Sequence, residues 1–587
     1  MVAQVHPAEF VVFGGLMVIN LGVGLYFAMR NTHLDAGTEE VFLGSRSLGA
    51  IPLSLSVLAT MVTAIGIVGF TTHFYVYGLH LIWGSITVLV VVPFIAKVVI
   101  PVIYNLKVTS VFQYLRMRFG NKVGITACVF YFLLNQVQGA VGIFAAAVAI
   151  STSFRVSLVG STLAIGAAGT VYTALGGLRG VVWTDSMQGI LVLICPITII
   201  VKIIYDSFYD PEIRLRPLSD LNIKPYLFEA SLDFTNDENV WASLIAVSCS
   251  HFYRMGMDQI VVQRYAAART LQEAQTTAYV GTILLVISYI FLGSVAISLV
   301  YWYRDCDPLL AGLITKIEQL IPHYLDKRLA GFPGFSGLFL AGVVSATLST
   351  VSSVINSLAA SFYIDILSPF KHLTDRYVDV ITKSIAFAFG AIMTAIAIAI
   401  PYLGPAIRVF MVVYGSISGP FVGLYLLALA FPWVNAKGAA VSAIFTMALQ
   451  IWAVAGKLEA GIHPPRMPVT LDYCPKNITA EMILKSTSTL STPDVHGTKP
   501  LFLLHRLSSN WSGFFAMLLT IVVGLGVSTL TGEKRYAGKN VHLTSGVFLK
   551  LWKKMRLLSD FNAEEQPGGN CVGEELQVFT VTGHITP

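Results

Sequence analysis

Apolar runs of about twenty residues recur along almost the whole chain, and this repetition limits the fold more than any other feature. A helix of about 20 residues is about 30 Å long, the thickness of a bilayer's hydrocarbon core. Such segments lie near Phe10 to Met29, Ile51 to Tyr75, Leu79 to Pro101, Ile125 to Ile150, Ser157 to Leu175, Gly189 to Tyr205 and Ala242 to Val262. Others lie near Tyr279 to Tyr301, Ser336 to Ile364, Ile381 to Ile400, Ala406 to Phe431, Ala439 to Val454 and Phe514 to Leu530. The composition agrees, with 55% hydrophobic and 12% charged residues and a mean hydropathy of +0.72, far more apolar than a soluble domain. The expected class is an all-α polytopic membrane protein of about thirteen transmembrane helices. The net charge of +6 resides in loops and gives no sign of nucleic acid binding.

Basic residues close to membrane ends are retained in the cytoplasm. Lys107, Arg116, Arg118 and Lys122 mark one short loop, Arg264 and Arg269 a second, and Lys371 and Arg376 a third. The tail after Gly532 carries Lys534, Arg535, Lys550, Lys553, Lys554 and Arg556. All fall on one face if the N-terminus is outside and the C-terminus inside. The opposite loops are longer and mixed or acidic, with Asp206, Asp210, Glu212, Asp220 and Glu229 in one and Asp305, Asp307 and Glu318 in the next. The first span has no basic start and no small-residue cleavage site, so it is read as a membrane helix rather than a signal peptide. The expected organisation is a transmembrane domain over 1–531 and a cytoplasmic tail over 532–587, largely disordered. Cys306 and Cys474 fall in two outer loops, where an oxidising compartment permits a disulfide; Cys128, Cys195 and Cys249 lie in apolar spans and Cys571 in the tail. Asn477-Ile478-Thr479 is a glycosylation sequon in the same outer loop, and a better acceptor than Asn510-Trp511-Ser512 beside the last span.

Polar groups inside the apolar segments mark a functional region. In GVVSATLSTVSSVIN, Gly342 to Asn356, the residues Ser345, Ser349, Ser352, Ser353 and Asn356 recur at offsets of 4, 7, 8 and 11 and share one helical stripe. Such groups either bond back to a carbonyl one turn earlier or face protein, water or an ion. Asp185 is either a cap at a helix N-terminus or a cation ligand, with Gln188 one turn on as a second oxygen. Arg254 and Asp258, four residues apart with His251 nearby, form either a self-neutralised ion pair or a substrate-binding arginine. Lys97 is placed to snorkel, and Asn135, Gln136 and Gln138 are interhelical glue or substrate contacts. Between Ser56 and Gly69, hydroxyls and two glycines fit a helix interrupted in the membrane, whose freed carbonyls suit sodium together with Ser349 and Thr350; close helix packing also explains the glycines.

These residues resemble the sodium/solute symporters, within them the branch of sodium-coupled monocarboxylate, multivitamin and iodide transporters. The likeness runs from about Phe10 to Leu530. It is carried by Gly44-Ser45-Arg46-Ser47-Leu48-Gly49 with Leu53 to Thr60, Thr109 to Leu115 before Arg118-Phe119, and Val171 to Leu178 with Trp183-Thr184-Asp185. Gln263-Arg264-Tyr265, Leu348 to Ser353 with Asn356-Ser357, Gly415 with Gly419-Pro420, and Phe431-Pro432 with Asn435 and Gly438-Ala439 complete the run. The resemblance implies an inverted five-helix repeat of the LeuT-like kind, with a discontinuous first helix in each half. It implies a sodium site from carbonyls of Ala59, Val62 and Ala346 and hydroxyls of Ser349 and Thr350, and a second from Asp185, Gln188, Ser353 and Asn356. Substrate would sit among Gly66, Trp83 to Thr87, Gln138 and the seventh span, where this chain places His251 and Arg254 at positions expected to be uncharged. Met255, Gly256 and Asp258-Gln259 depart from the branch's usual pattern there.

The reading is a plasma-membrane symporter that imports a small organic anion, a monocarboxylate or vitamin-like carboxylate, with sodium. The alternatives are an importer of iodide, a sugar or a neutral nutrient, or a non-transporting sensor or channel on the same scaffold. No HExxH, nucleophile-elbow or phosphate-loop motif supports an enzyme.

Overall fold

The computed structural model describes residues 6–30, 43–209, 218–220, 222–328, 332–367, 375–403, 406–460, 466–472, 474, 502–531 and 540–557. Asn477, Lys371, Lys534, Arg535 and Cys571 fall outside them.

The described chain is helical, with one isolated β-bridge between Leu48 and Ala268. In order, the main helices are α1 (Pro7–Arg30), α2 (Ala50–Met61), α3 (Ile65–Tyr77), α4 (His80–Asn105), α5 (Val111–Phe119), α6 (Asn121–Phe154) and α7 (Leu158–Tyr209). Then come α8 (242–257), α9 (Gln259–Ala266), α10 (Leu271–Tyr303), α11 (Leu320–Arg328), α12 (Phe335–Leu367) and α13 (Asp375–Ala399). The series closes with α14 (Ala406–Ala430), α15 (Ala436–Ala460), α16 (Ser509–Leu530) and α17 (Gly546–Lys554). Among the described residues, nine helices are long and apolar enough to cross a membrane, and the bent pair α2 and α3 makes a tenth.

Two interruptions organise the bundle. α2 stops at Met61, Val62 is extended (φ −93°, ψ 93°), and α3 leaves at 55° to α2. α8 stops at Met257, and Asp258 is extended in the same way (φ −71°, ψ 118°). Each restart is capped by its own side chain: Thr63 Oγ1 accepts from Gly66 N at 3.4 Å, and Asp258 Oδ1 from Ile260 N at 3.1 Å. An oxygen-bearing residue at the start of a helix satisfies an amide that would otherwise be orphaned.

α12 is the most completely buried of the apolar helices and packs against α1, α6 and α7. Its N-terminus is capped by Glu9 of α1, whose carboxylate accepts from the amides of Gly334 (2.9 Å) and Gly337. On the periphery, Val380, Phe387 and Ile392 of α13 and Leu518 and Val522 of α16 present exposed apolar side chains.

The structure departs from the sequence reading in several places. The fifth and sixth segments belong to one helical stretch, α7, so Asp185 lies inside a helix and the cap reading is removed. Three basic residues read as loop markers are built into the fold. Arg264 is buried in α9, Arg118 donates to the carbonyl of Phe431 at 2.8 Å, and Arg116 pairs with Asp365 at 3.2 Å. The segment holding Arg116 and Arg118 is a helix, α5, packed on α6, which is why their cations turn inward. Asn510 lies buried in the first turn of α16, where Asp237 accepts from its amide at 3.1 Å, so that sequon is enclosed. The disulfide that the sequence reading allowed is present, joining Cys306 and Cys474 with their Cα atoms 4.8 Å apart. Within the tail, 540–557 is ordered against the bundle and carries α17.

α14 and α16 approach closely because Gly415, Gly419 and Gly423 recur every fourth residue. A Cβ on Gly419 would stand 2.1 Å from the carbonyl oxygen of Gly513, whereas one on Gly526 meets nothing within 4 Å. Gly419→Ala should therefore cost roughly 1–3 kcal/mol of stability through overpacking. Its melting temperature in detergent should fall clearly below that of Gly526→Ala, which should match the parent protein.

Candidate functional site

The centre of the bundle holds two polar layers that meet at the helix breaks. The first is built around Asp185 of α7, fully buried. Ser349 Oγ of α12 donates to its Oδ1 at 2.6 Å; Ser56 Oγ of α2 and Ser353 Oγ of α12 reach Oδ2 at 2.8 and 3.4 Å. Arg264 Nη2 of α9 pairs with Oδ2 at 2.7 Å, and the same guanidinium donates to Ser56 Oγ (2.7 Å), Ser353 Oγ (2.7 Å) and the Ile260 carbonyl. Four helices thus converge on one carboxylate. A charge buried this deeply is tolerable only when paired and fully hydrogen-bonded.

The serine stripe divides its work. Thr350 and Ser352 bond back to the carbonyls of Ala346 and Ser349, each at 2.9 Å, as hydroxyls in membrane helices commonly do. Ser345, Ser349 and Ser353 reach other helices instead, Ser345 accepting from Asn20 Nδ2 of α1 at 3.2 Å. Asn20 Oδ1 in turn accepts from Gln188 Nε2 at 3.0 Å, and Gln188 Oε1 is buried without a partner. Asn356 is buried on the same helix one turn beyond Ser352.

The second layer is a cavity of about 140 Å³ lined from Met61 at the first break to Phe74 in α3, with α8, α10 and α14 opposite. Val62, Gly66, Gln138, His251 and Arg254 all line it; Ala59 lies buried just before the break. Trp83 and Thr87 are placed elsewhere: the Trp83 indole donates to the Leu227 carbonyl at 2.8 Å, and Thr87 Oγ1 to the Ser243 carbonyl at 2.9 Å, holding α4 to α8. The sequence reading missed Arg264, Ser56, Asn20, Tyr414 and Asn510. For Arg264 a signal existed, because the apolar run Ile260-Val261-Val262 leads into it and buried Asp185 needs a cation. For Asn20 the signal was a lone amide inside the first apolar segment, whereas Asn510 was read only as part of a sequon.

Arg254, on the second interrupted helix, reaches the end of the first. Its Nη1 donates to Asp258 Oδ2 (3.2 Å) and Tyr414 OH (3.3 Å), and its Nη2 to the Thr60 carbonyl at the end of α2 (3.3 Å). The ion pair read from the i, i+4 spacing is present, yet the guanidinium also faces the cavity. These bonds account for three of its five N–H donors. Across the same cavity both amide atoms of Gln138 and the Nδ1 of His251 are buried without a partner.

Removing one partner of the buried pair leaves an uncompensated charge, at a cost of about 3–5 kcal/mol. Arg264→Gln should therefore lower the melting temperature in detergent sharply, and adding Asp185→Asn should recover most of the loss. Strictly additive losses would mean that the two groups do not depend on each other.

Residues 41–446 match the model of the sodium:solute symporter family. Sodium-coupled monocarboxylate transporter 1 of Homo sapiens is 29% identical over 595 residues, covering 96% of this chain and 94% of the relative. Sodium-coupled monocarboxylate transporter 2 of Homo sapiens is 29% identical over 533 residues (90% and 84%). A putative sodium-dependent multivitamin transporter of Drosophila melanogaster is 27% identical over 536 residues (89% and 86%). Among solved structures, a substrate-bound outward-open Na+-coupled sialic acid symporter shares the fold with a TM-score of 0.72 at 20% identity, over 89% of this chain and 98% of that one. With its interrupted helices and buried polar centre, the chain belongs to the sodium:solute symporter family and is a multi-pass membrane transporter that couples small-solute movement to sodium.

Proposed function

We propose that this symporter sits in the plasma membrane and carries a small carboxylate inward, a monocarboxylate or a vitamin-like acid. The observation that carries this reading is the Arg254 guanidinium on the cavity wall, beside both unpartnered amide atoms of Gln138 and the unpartnered Nδ1 of His251. Buried polar groups without partners are costly, so a ligand that bonds them is favoured. A planar carboxylate matches a guanidinium edge better than a neutral solute does. The names of the two monocarboxylate relatives point the same way.

For sodium we propose the carbonyls of Ala59, Val62 and Ala346 with the hydroxyls of Ser349 and Thr350, and a second position from Asp185, Gln188, Ser353 and Asn356. The break after Met61 supports the first, because the last carbonyls of a helix lack amide partners. The unpartnered Gln188 Oε1 one turn from Asp185 supports the second. Ser349, already on Asp185, would connect the two. Sodium bound at the break would hold α2 against α12 and preform the cavity, so it should bind before substrate. The topology that fits the charges has about thirteen crossings, the N-terminus outside and the C-terminus inside, with the transmembrane domain over 1–531, the tail over 532–587, and Asn477 glycosylated.

The test is uptake of labelled lactate, butyrate, nicotinate, biotin, pantothenate, iodide and glucose by cells expressing the chain, in sodium or in choline. Saturable, sodium-dependent entry of a carboxylate is expected; entry of iodide or glucose alone would overturn the anion reading, and steady sodium currents without uptake would indicate a channel. Ser349→Ala with Thr350→Ala should raise the sodium concentration for half-maximal uptake at least tenfold, about 1.4 kcal/mol of lost binding; an unchanged requirement would sink the ligand assignment. Arg254→Gln should weaken carboxylates selectively, whereas equal loss for neutral and anionic solutes would assign Arg254 to the ion pair alone.

A further inference from the structure

The segment 540–557 holds the described part of the tail against the bundle, and its helix has three distinct faces. Phe548 and Trp552, one turn apart, pack on the protein. Trp552 packs against Phe431 and Trp433 (5.5 and 5.2 Å between ring centres) and donates from Nε1 to the Ala430 carbonyl, and Phe548 meets Phe94 of α4 at 6.1 Å. Ser545 N bonds the Leu429 carbonyl at 3.0 Å, and Tyr114 of α5 reaches the Leu543 carbonyl at 2.9 Å. The second face is the stripe Val547, Leu551 and Met555 at i, i+4 and i+8, apolar and about half exposed. The third is basic, with Lys550, Lys553 and Lys554 exposed beside that stripe and Arg556 just beyond; no acidic residue occurs from Asn540 to Leu557. The helix stops at once, because Arg556 adopts a positive φ of 57° and the amides of Arg556 and Leu557 return to the carbonyls of Lys553 and Trp552, both at 3.0 Å, as in a Schellman turn.

We propose that α17 lies in the membrane interface and binds the phosphate-bearing headgroups of anionic phospholipids, fastening α4, α5 and the end of α14 to the leaflet. An apolar stripe between a protein-packed face and a lysine face is the pattern of an in-plane amphipathic helix, its stripe in the acyl boundary and its lysines at headgroup level. The absence of any counter-charge on the segment favours an anionic surface, and like charge disfavours a second copy of the helix. The inference rests on the inside placement of the tail proposed above. Clustered cations immediately beside a membrane crossing each contribute about fivefold to binding an anionic leaflet.

The test uses the full chain with Cys571→Ser and Leu551→Cys bearing an environment-sensitive fluorophore, in nanodiscs of phosphatidylcholine alone or with phosphatidylserine. Quenching by lipids brominated in the acyl chain should increase with phosphatidylserine while quenching by aqueous iodide falls. Lys550→Gln with Lys553→Gln and Lys554→Gln should abolish that dependence, and the matching lysine-to-arginine variant should keep it. Equal access of iodide in both kinds of disc, or a glutamine variant behaving like the parent, would overturn the proposal, as would protection that appears only with a protein partner added. Since no transport is measured, failure here leaves the symport reading intact. An impermeant thiol reagent applied to intact cells separately tests the side on which Leu551→Cys lies: labelling from outside would overturn the placement.

Discussion

A carboxylate and a guanidinium enclosed at the meeting point of four helices set the terms for the rest of this structure. Asp185 and Arg264 are withdrawn from water together, and neither could stay ionised alone in an apolar bundle. Their spare hydrogen-bonding capacity must be met locally. Ser56, Ser349 and Ser353 meet it, and they come from α2, which ends at the first break, and from α12, which packs beside it. The hydroxyl stripe of α12 therefore has its polar face spoken for by protein as well as by the proposed ions. Any ion entering there exchanges bonds with groups already engaged, which ties its binding to the packing of α2 on α12.

The breaks translate that constraint into a cavity. Interrupting a helix in an apolar environment frees backbone groups, and this fold reuses them: Thr63 and Asp258 cap the restarts, while Arg254 takes the Thr60 carbonyl. Arg254 thereby touches the end of one interrupted helix while belonging to the other. A solute bonded to its exposed edge would act on both helices at once, a direct physical route for coupling solute to sodium. Tyr131 extends the connection, donating to Asp258 at 3.0 Å and meeting Ser357 of α12 at 2.8 Å.

Much of this was legible in one dimension. The period and length of apolar runs located most of the helices, and the spacing of Ser345, Ser349, Ser352, Ser353 and Asn356 marked a polar stripe on α12, of which Ser345, Ser349 and Ser353 reach other helices. The i, i+4 spacing of Arg254 and Asp258 announced their pair. Other features were hidden because their partners are distant in sequence. Arg264 looked like a loop cation because a charge next to a membrane segment usually is one; only the arrival of Asp185, 79 residues earlier in the chain, makes its burial affordable. Trp83 and Thr87 lie on the expected helix, but their polar atoms are drawn to carbonyls of neighbouring segments rather than to the cavity.

What the sequence determined by itself is the set of local, periodic properties: helices of membrane length, the break in the second span, and the residue types available to hold a cation or an anion. These follow from the hydrophobic effect and from backbone geometry, which act over a few turns. Tertiary structure alone decided which charges distant in sequence neutralise each other, which hydroxyls bond across helices rather than back along their own, and which side chains share a wall of the cavity. Those outcomes depend on groups brought within 3 Å from remote parts of the chain, and in a low-dielectric interior such short contacts govern the energy of every buried polar atom.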